Sequence, residues 1–341
     1  MNDASLNALR RRYWHLITHR CQVDKPGDYL RLEWFNDEIV VFNDQGTIFV
    51  FDNICPHRGA RIFDAADGNR ILRCGYHGWT FRNGRFHAPF PTEFAPEDLA
   101  RAKFNTFETA WCGGFLFASE DPDMTLQEQL DGLGPLLEQV SDSIAEPHSL
   151  YSFTWQSDWR IALENALEEY HTAVGLIHPG SFGRIKPGDG SNELFGKNSV
   201  YRCIFRDGRT VRQLERLNRL FDLKMQHPGY MSIYLFPFAM IGSTYGYSYA
   251  IQHFAPGCTN DECHFSSRMF SSRLREGANA GVLASFFDSS AQLNRQVFDE
   301  DHAICRRVSR KSLTPPFEPI LAKSEVKIRR FREAVADASR Q

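Results

Sequence analysis

The chain has 341 residues, with 39 Lys plus Arg against 42 Asp plus Glu and a formal charge of −3, a length that accommodates two domains with separate cores. No basic block marks it for nucleic acid, so a small molecule or another protein is the expected partner. Eight cysteines without a framework spacing fit reduced thiols, residues 1–10 lack an apolar signal core and no run reaches bilayer length, so the expectation is a soluble, cytoplasmic protein.

From residue 28 to 117, short runs separated by turns, such as Glu38-Ile-Val-Val-Phe42 and Ile48-Phe-Val-Phe51, predict a β region. Residues 111–117 read as its closing strand, Ser119-Glu-Asp-Pro122 as an exit, and 126–140 as a helix. A strand at 151–154, a helix over 157–174 and a Gly-rich stretch over 180–197 follow. Within that stretch, Lys186-Pro-Gly-Asp-Gly-Ser-Asn192 is expected to form a mobile lid or a partly ordered loop. An aromatic strand region covers 231–254, and helical segments cover 281–312 and 319 onward. Strands and helices mix without βαβ alternation, which predicts an α+β fold. The expected organisation is an N-terminal helix and strand (1–27) packing on the C-terminal domain, a β domain (28–122) and an α+β domain (123–341).

The β region contains Cys55-Pro56-His57 and, after sixteen residues, Cys74-Gly75-Tyr76-His77. Two thiolates for one iron and two imidazoles for the other are the ligand set of a Rieske [2Fe–2S] cluster, and imidazole ligation raises the potential. Gly59, Gly75 and Gly78 allow the backbone close to the sulfurs. A zinc site is disfavoured, since common zinc fingers pair Cys with Cys and His with His.

A cluster that passes single electrons needs an acceptor for oxygen chemistry. Glu164-Asn-Ala-Leu-Glu-Glu-Tyr-His171, followed by His178, offers two imidazoles, and a late carboxylate would complete a facial triad for non-haem Fe(II). Seven positions along an unbroken helix rise by about 10 Å, too far for two rings to share one ion comfortably, so the helix is expected to break near Gly175. Among the acidic residues of the late helix, Asp301 is the expected third ligand and Asp299 the alternative.

Cys55-Pro-His-Arg-Gly-Ala60 and Cys74-Gly-Tyr-His-Gly-Trp79 resemble the cluster loops of Rieske non-haem iron oxygenases. Positions 164–178 resemble the catalytic motif of their α subunits, and Glu300-Asp301 their late acidic pair. Respiratory Rieske proteins carry an extra Cys in each loop, where this chain has Ala60 and Tyr76. The resemblance implies a helix-grip-like catalytic domain with a central antiparallel sheet, a terminal oxygenase using O2, and a [2Fe–2S] cluster with a mononuclear Fe(II). It also implies a head-to-tail homotrimer in which Glu168 joins His171 of its own chain to His77 of the next. Glu169 and Glu164 are the alternatives for that bridge. Most relatives have Asp there, whereas Glu is familiar in the branch acting on carnitine, choline and glycine betaine.

That branch gives hydroxylation or N-dealkylation of a quaternary amine as the expected reaction. Hydroxylation or cis-dihydroxylation of an aromatic ring is the alternative, and a Rieske electron carrier without oxygenase activity the weaker one. Phe182, Tyr234, Phe236, Tyr245 and Tyr247 are candidate pocket residues, aromatic faces suiting arenes by stacking and quaternary ammonium by cation–π attraction. With no dinucleotide-binding glycine pattern and no plant-type ferredoxin run, flavin and nicotinamide chemistry is expected in a separate NAD(P)H-dependent reductase.

Overall fold

Residues 3–179, 189–205, 208–278, 280–338 and 340 are described by the structure, a computed structural model. Helix α1 (Asp3–Arg12) leads into β1 (His15–His19). The β region begins with β2 (Asp28–Trp34), β3 (Asp37–Asp44) and β4 (Thr47–Asp52), antiparallel neighbours joined on the β2 edge by β5 (Asp67–Asn69). A small hairpin of β6 (Thr80–Arg82) and β7 (Arg85–His87) and the short α2 (Pro96–Arg101) follow. Phe51, Phe63, Trp79, Phe81 and Phe104 fill this region's core.

Residues 111–117 are not one strand. The chain reverses at Gly113–Gly114, making a hairpin of β8 (Glu108–Cys112) and β9 (Phe115–Ser119), to which β1 adds on the β9 edge. Likewise 126–140 divides into α3 (Leu126–Leu130) and α4 (Gly134–Ser143), interrupted where Asp131 takes a left-handed conformation. Thr125 and Glu128 begin α3 with a capping box, each satisfying a backbone N–H.

The C-terminal region is built on one antiparallel sheet. Its strands are β10 (Ile144–Trp155), β11 (Gly190–Phe195), β12 (Asn198–Ile204), β13 (Gly229–Leu235), β14 (Ala239–Thr244), β15 (Ser248–Pro256) and β16 (Cys263–Ser272), in the order β10-β16-β15-β14-β13-β12-β11. Strand side chains alternate between faces, so each strand feeds two cores. Val200, Met231, Ile233, Ile241 and Ile251 face α3 and α4, whereas Trp155, Tyr234, Met240, Phe254 and Phe265 face the helices on the other side. Those helices are α5 (Trp159–Leu167), α6 (Tyr170–Val174), α8 (Ala280–Cys305) and α9 (Val326–Ala338); α7 (Gly208–Leu217) lies between β12 and β13 in sequence. Helix α8, 26 residues and about 39 Å long, packs against α5 and β10. The α+β expectation and its central antiparallel sheet agree with this architecture. Among the described residues no helix is long and apolar enough to cross a membrane.

Two candidate metal centres

The two Cys-containing loops of the β region are copies of one turn. In the first, Cys55 N–H donates to Ala60 O (2.8 Å) and Gly59 N–H to Cys55 O (2.9 Å); in the second, Cys74 N–H donates to Trp79 O (2.8 Å) and Gly78 N–H to Cys74 O (3.0 Å). Gly59 and Gly78 hold φ of +75° and +72°, which a Cβ would penalise. Asn53 pins the exit of the first loop, its Oδ1 accepting from Ile62 and Phe63 N–H while its Nδ2 donates to Phe63 O.

These turns bury Cys55 and Cys74 and leave His57 half-buried and His77 exposed. The imidazoles meet edge to face with centroids 4.6 Å apart, and His57 stacks on Trp79 at 5.0 Å. Burial pushes the Cys55 thiol up to about 11, while backbone N–H groups of His57 and Arg58 at its sulfur pull the other way. The Nδ1 of His57 is buried with no hydrogen-bond partner, an imidazole nitrogen kept for something other than protein. Cys55, His57, Cys74 and His77 do not gather within the radius of one ion, as a tetrahedral zinc would require. A two-iron cluster with thiolates at one end and imidazoles at the other fits this donor set.

The second centre lies on the helical face of the large sheet. The helix expected over 157–174 breaks twice. Glu168 is extended (φ −118°, ψ 151°), separating α5 from α6, and Gly175 ends α6 at φ +71°. Glu168 Oε2 accepts the backbone N–H groups of Tyr170 and His171, while its Oε1 accepts from His171 Nδ1–H. The turn after Gly175 returns His178 beside His171, with ring centroids 5.3 Å apart.

Opposite them stands Asp301 of α8. Its Oδ1 is 3.0 Å from His178 Nε2 and 3.6 Å from His171 Nε2, yet it makes no hydrogen bond. The reason is tautomeric. His178 Nδ1–H donates to Glu300 (2.7 Å) as His171 Nδ1–H does to Glu168, so both Nε2 lone pairs converge on a carboxylate oxygen. His171, His178 and Asp301 form the one trio among the described residues whose ligand atoms lie within 4.8 Å of one another. Burial works to lower the His178 pKa, but Asp301 and Glu300 together outweigh it and raise it. Carboxylates in excess around two imidazoles are the setting of a cation site, and two His with one carboxylate fit non-haem Fe(II).

The alternatives to these residues are engaged elsewhere. Asp299 accepts from Tyr151 OH, Glu164 takes a bidentate pair from Arg332 (2.8 and 2.6 Å), and Glu169 pairs with Lys327, a lysine 3% exposed. Glu169 was expected only as an alternative bridge and Glu300 only as a member of the late acidic pair; Lys327 was not anticipated as part of the site. A lysine set among Val326, Ile328 and Phe331 on an otherwise apolar stripe is the sequence signal that marks Lys327.

The pocket expectation needs correction. Tyr234 packs on Phe331 and donates its OH to Pro237 O (3.0 Å), and Phe236 packs edge-on against Tyr13, so both belong to the core. Tyr245 and Tyr247 lie in a satellite cluster with Phe221, where Tyr247 OH donates to Leu214 O (2.7 Å). Phe182 and residues 186–188 of the expected lid lie outside the described residues, and 190–192 of that lid are the start of β11. On the strand face shared with Asp301 stand Tyr201, Cys203, Tyr230, Ser232 and Gln252. Burial first, then Glu169, Cys203 and Asp301, push the Tyr230 phenol up. Its OH and the Gln252 Nε2 stand 3.3 and 3.4 Å from where a Cβ on Gly242 would lie, so that glycine leaves room between them. Asn294, seven residues before Asp301 on α8, donates to Ser267 Oγ (2.9 Å) of the same face.

Residues 13–94 match the profile of the Rieske [2Fe-2S] domain, and residues 145–341 that of the ring hydroxylating alpha subunit catalytic domain. The chain is 29% identical over 195 residues to the 2-halobenzoate 1,2-dioxygenase large subunit of Burkholderia cepacia, covering 52% of this chain and 40% of that protein. It is 31% identical over 186 residues to the glycine betaine monooxygenase oxygenase subunit of Chromohalobacter salexigens, covering 50% and 40%. The matched segment thus spans 40% of the length of each of these relatives. Among solved structures, a quaternary ammonium Rieske monooxygenase in complex with L-carnitine superposes with a TM-score of 0.76 at 18% identity, covering 99% of this chain and 92% of that one. Naphthalene 1,2-dioxygenase from Rhodococcus superposes at 0.72, also at 18% identity, covering 99% and 91%. At that identity the likeness is one of fold.

Proposed function

Because this chain belongs to the ring-hydroxylating α-subunit family, with a Rieske [2Fe–2S] domain ahead of its catalytic domain, we propose that it is the terminal oxygenase of a multicomponent system. It takes electrons from a separate NAD(P)H-dependent reductase and uses O2 to hydroxylate or N-dealkylate a small organic substrate, a quaternary amine in the first reading. The observation that carries this is the convergence of two Nε2 lone pairs and one carboxylate, with both Nδ1 protons tied to further carboxylates.

Cys55, His57, Cys74 and His77 would hold the cluster, and His171, His178 and Asp301 the mononuclear iron. When bound, the first supplies single electrons and the second the activation of O2. Glu168 and Glu300 orient the two imidazoles and raise their basicity. Glu168 is also the proposed bridge to His77 of a neighbouring chain in a homotrimer. Two observations support that assembly: His77 is exposed, and apolar side chains stand uncovered near both centres. Ile71, Tyr76 and Phe90 do so beside the cluster loops, and Tyr170, Val174 and Leu176 beside His171.

For the substrate, Tyr230 and Gln252 offer an aromatic face and a neutral amide. Hydroxylation of an aromatic acid is the second reading. It is favoured by Lys327, whose ammonium already lies 4.6 Å from the Tyr201 ring centre and leaves Glu169 neutralised. The deciding experiment measures O2 uptake and product with a surrogate reductase across quaternary amines and aromatic acids, alongside iron content. Three irons per chain and coupled uptake with one substrate class are expected; two irons and no uptake would leave an electron carrier.

A further inference from the structure

The reverse face of the large sheet, away from the His171 centre, meets the N-terminal β region across a cleft. Between β2, the outer faces of β15 and β16, and the 236–238 turn lies a cavity of about 120 Å³. Its most unusual lining residue is Arg268 of β16. The residue is only 7% exposed, yet its guanidinium makes no hydrogen bond, ion pair or ring contact among the described residues. With no protein partner, its nitrogens open onto the cavity instead of being sealed in protein, so the charge is available to a ligand there. Burial, acting against the attraction of Asp67 and Cys21, pulls its pKa down to about 10, so it stays charged at neutral pH.

The rest of the cavity narrows the ligand. Trp34, 7% exposed, has an indole N–H with no partner, and the walls include Phe236 and Phe238. Of the other charged groups, Arg31 pairs through Nη1 with Glu38, its Nε being buried without a partner, and Glu33, its side chain 67% exposed, lies 3.8 Å from His264. The imidazoles of His15 and His253 donate to the carbonyls of Arg10 (2.8 Å) and Leu16 (2.7 Å) and are held neutral by burial. One fixed positive charge with aromatic and aliphatic walls suits a planar anion carrying a hydrocarbon body, because the guanidinium fork matches a carboxylate in two parallel hydrogen bonds.

We propose that this cleft between the two regions binds a small organic carboxylate, its charged end on Arg268 and its hydrocarbon against Phe236 and Phe238. The site is separate from the iron centre, since the sheet stands between them, and it joins strands of both regions.

The test follows the thermal unfolding midpoint of the purified holoenzyme in a benzoate titration, with acetate and inorganic phosphate as comparison arms. The parent, Arg268→Met, Arg268→Lys and His171→Ala chains are compared. Benzoate is expected to raise the parent midpoint saturably, as a ligand of the folded state must. Its apparent affinity should fall by about tenfold or more in Arg268→Met and less in Arg268→Lys, and should persist in His171→Ala. Without ligand, Arg268→Met should unfold no lower than the parent, because no hydrogen bond or ion pair is lost with the guanidinium; this separates lost binding from lost fold. The proposal is overturned if benzoate acts equally on parent and Arg268→Met, if its effect vanishes in His171→Ala, if phosphate acts as strongly, or if Arg268→Met alone is destabilised.

Discussion

The N-terminal centre draws four ligands from two loops, Cys55 and His77 lying 22 positions apart, whereas the C-terminal centre joins His171 to Asp301 across 130. The first is assembled by local backbone hydrogen bonds that repeat from loop to loop and leaves one of its imidazoles, His77, at the surface. The second is assembled by packing α5, α6 and α8 on one sheet face, with His171 held by the nearby Glu168 and His178 by Glu300 from 122 positions away. A centre of the first kind is set by a turn; one of the second kind exists only when the whole domain is folded.

The sharpest way to break that comparison is to remove each centre and ask whether the other survives. Cys74→Ser is expected to abolish the visible absorption of the cluster and all turnover while leaving the mononuclear iron. His171→Ala should remove that iron and turnover with the cluster spectrum intact; bleaching in His171→Ala would mean that the two centres are not independently built.

A smaller effect is expected from the carboxylates behind the imidazoles. Glu300→Gln should weaken iron binding by about 10–100-fold, read by chelator competition, because an amide holds the His178 N–H less firmly. Glu168→Gln should retain both metals and slow single-turnover chemistry; unchanged steady-state rates would remove it from the electron path.

The mildest prediction concerns acid. His15, His19 and His253 are buried and held neutral, with pKa values lowered by burial to about 3, 4 and 4. Each binds a proton more readily when unfolded, near 6.5, than when folded, so its stabilising effect is present above pH 6.5 and is lost as pH falls toward 4. The unfolding midpoint should therefore drop over that window, and His253→Gln should shallow the drop. An unchanged slope would assign the acid sensitivity to other groups.

What could be read from the residues alone follows the same division. The cluster loops were legible because ligands and turn glycines are contiguous. The α+β class and the break at Gly175 were legible because spacing and a left-handed glycine carry them. The break at Glu168 was not. Glutamate favours helices, and only its capture of two backbone N–H groups and one imidazole reverses that preference here. The aromatic strands misled for a related reason. Period-two patterning says that residues share a face without saying which end of the face is core, so Tyr234 was expected in a pocket and Tyr230 was overlooked. Lys327 with Glu169 and His178 with Glu300 join positions more than 120 apart, and no local pattern announces such pairs.

Glu168 divides its two oxygens between unlike tasks, one closing the first turn of α6 and the other steadying a ring. Any event that alters the acidity of that ring is thereby felt as a tug on the polypeptide that begins the next helix. A shorter acid would have to choose between the two jobs, so swapping Glu for Asp in this lineage would demand compensating movement of the main chain and could not be a silent exchange.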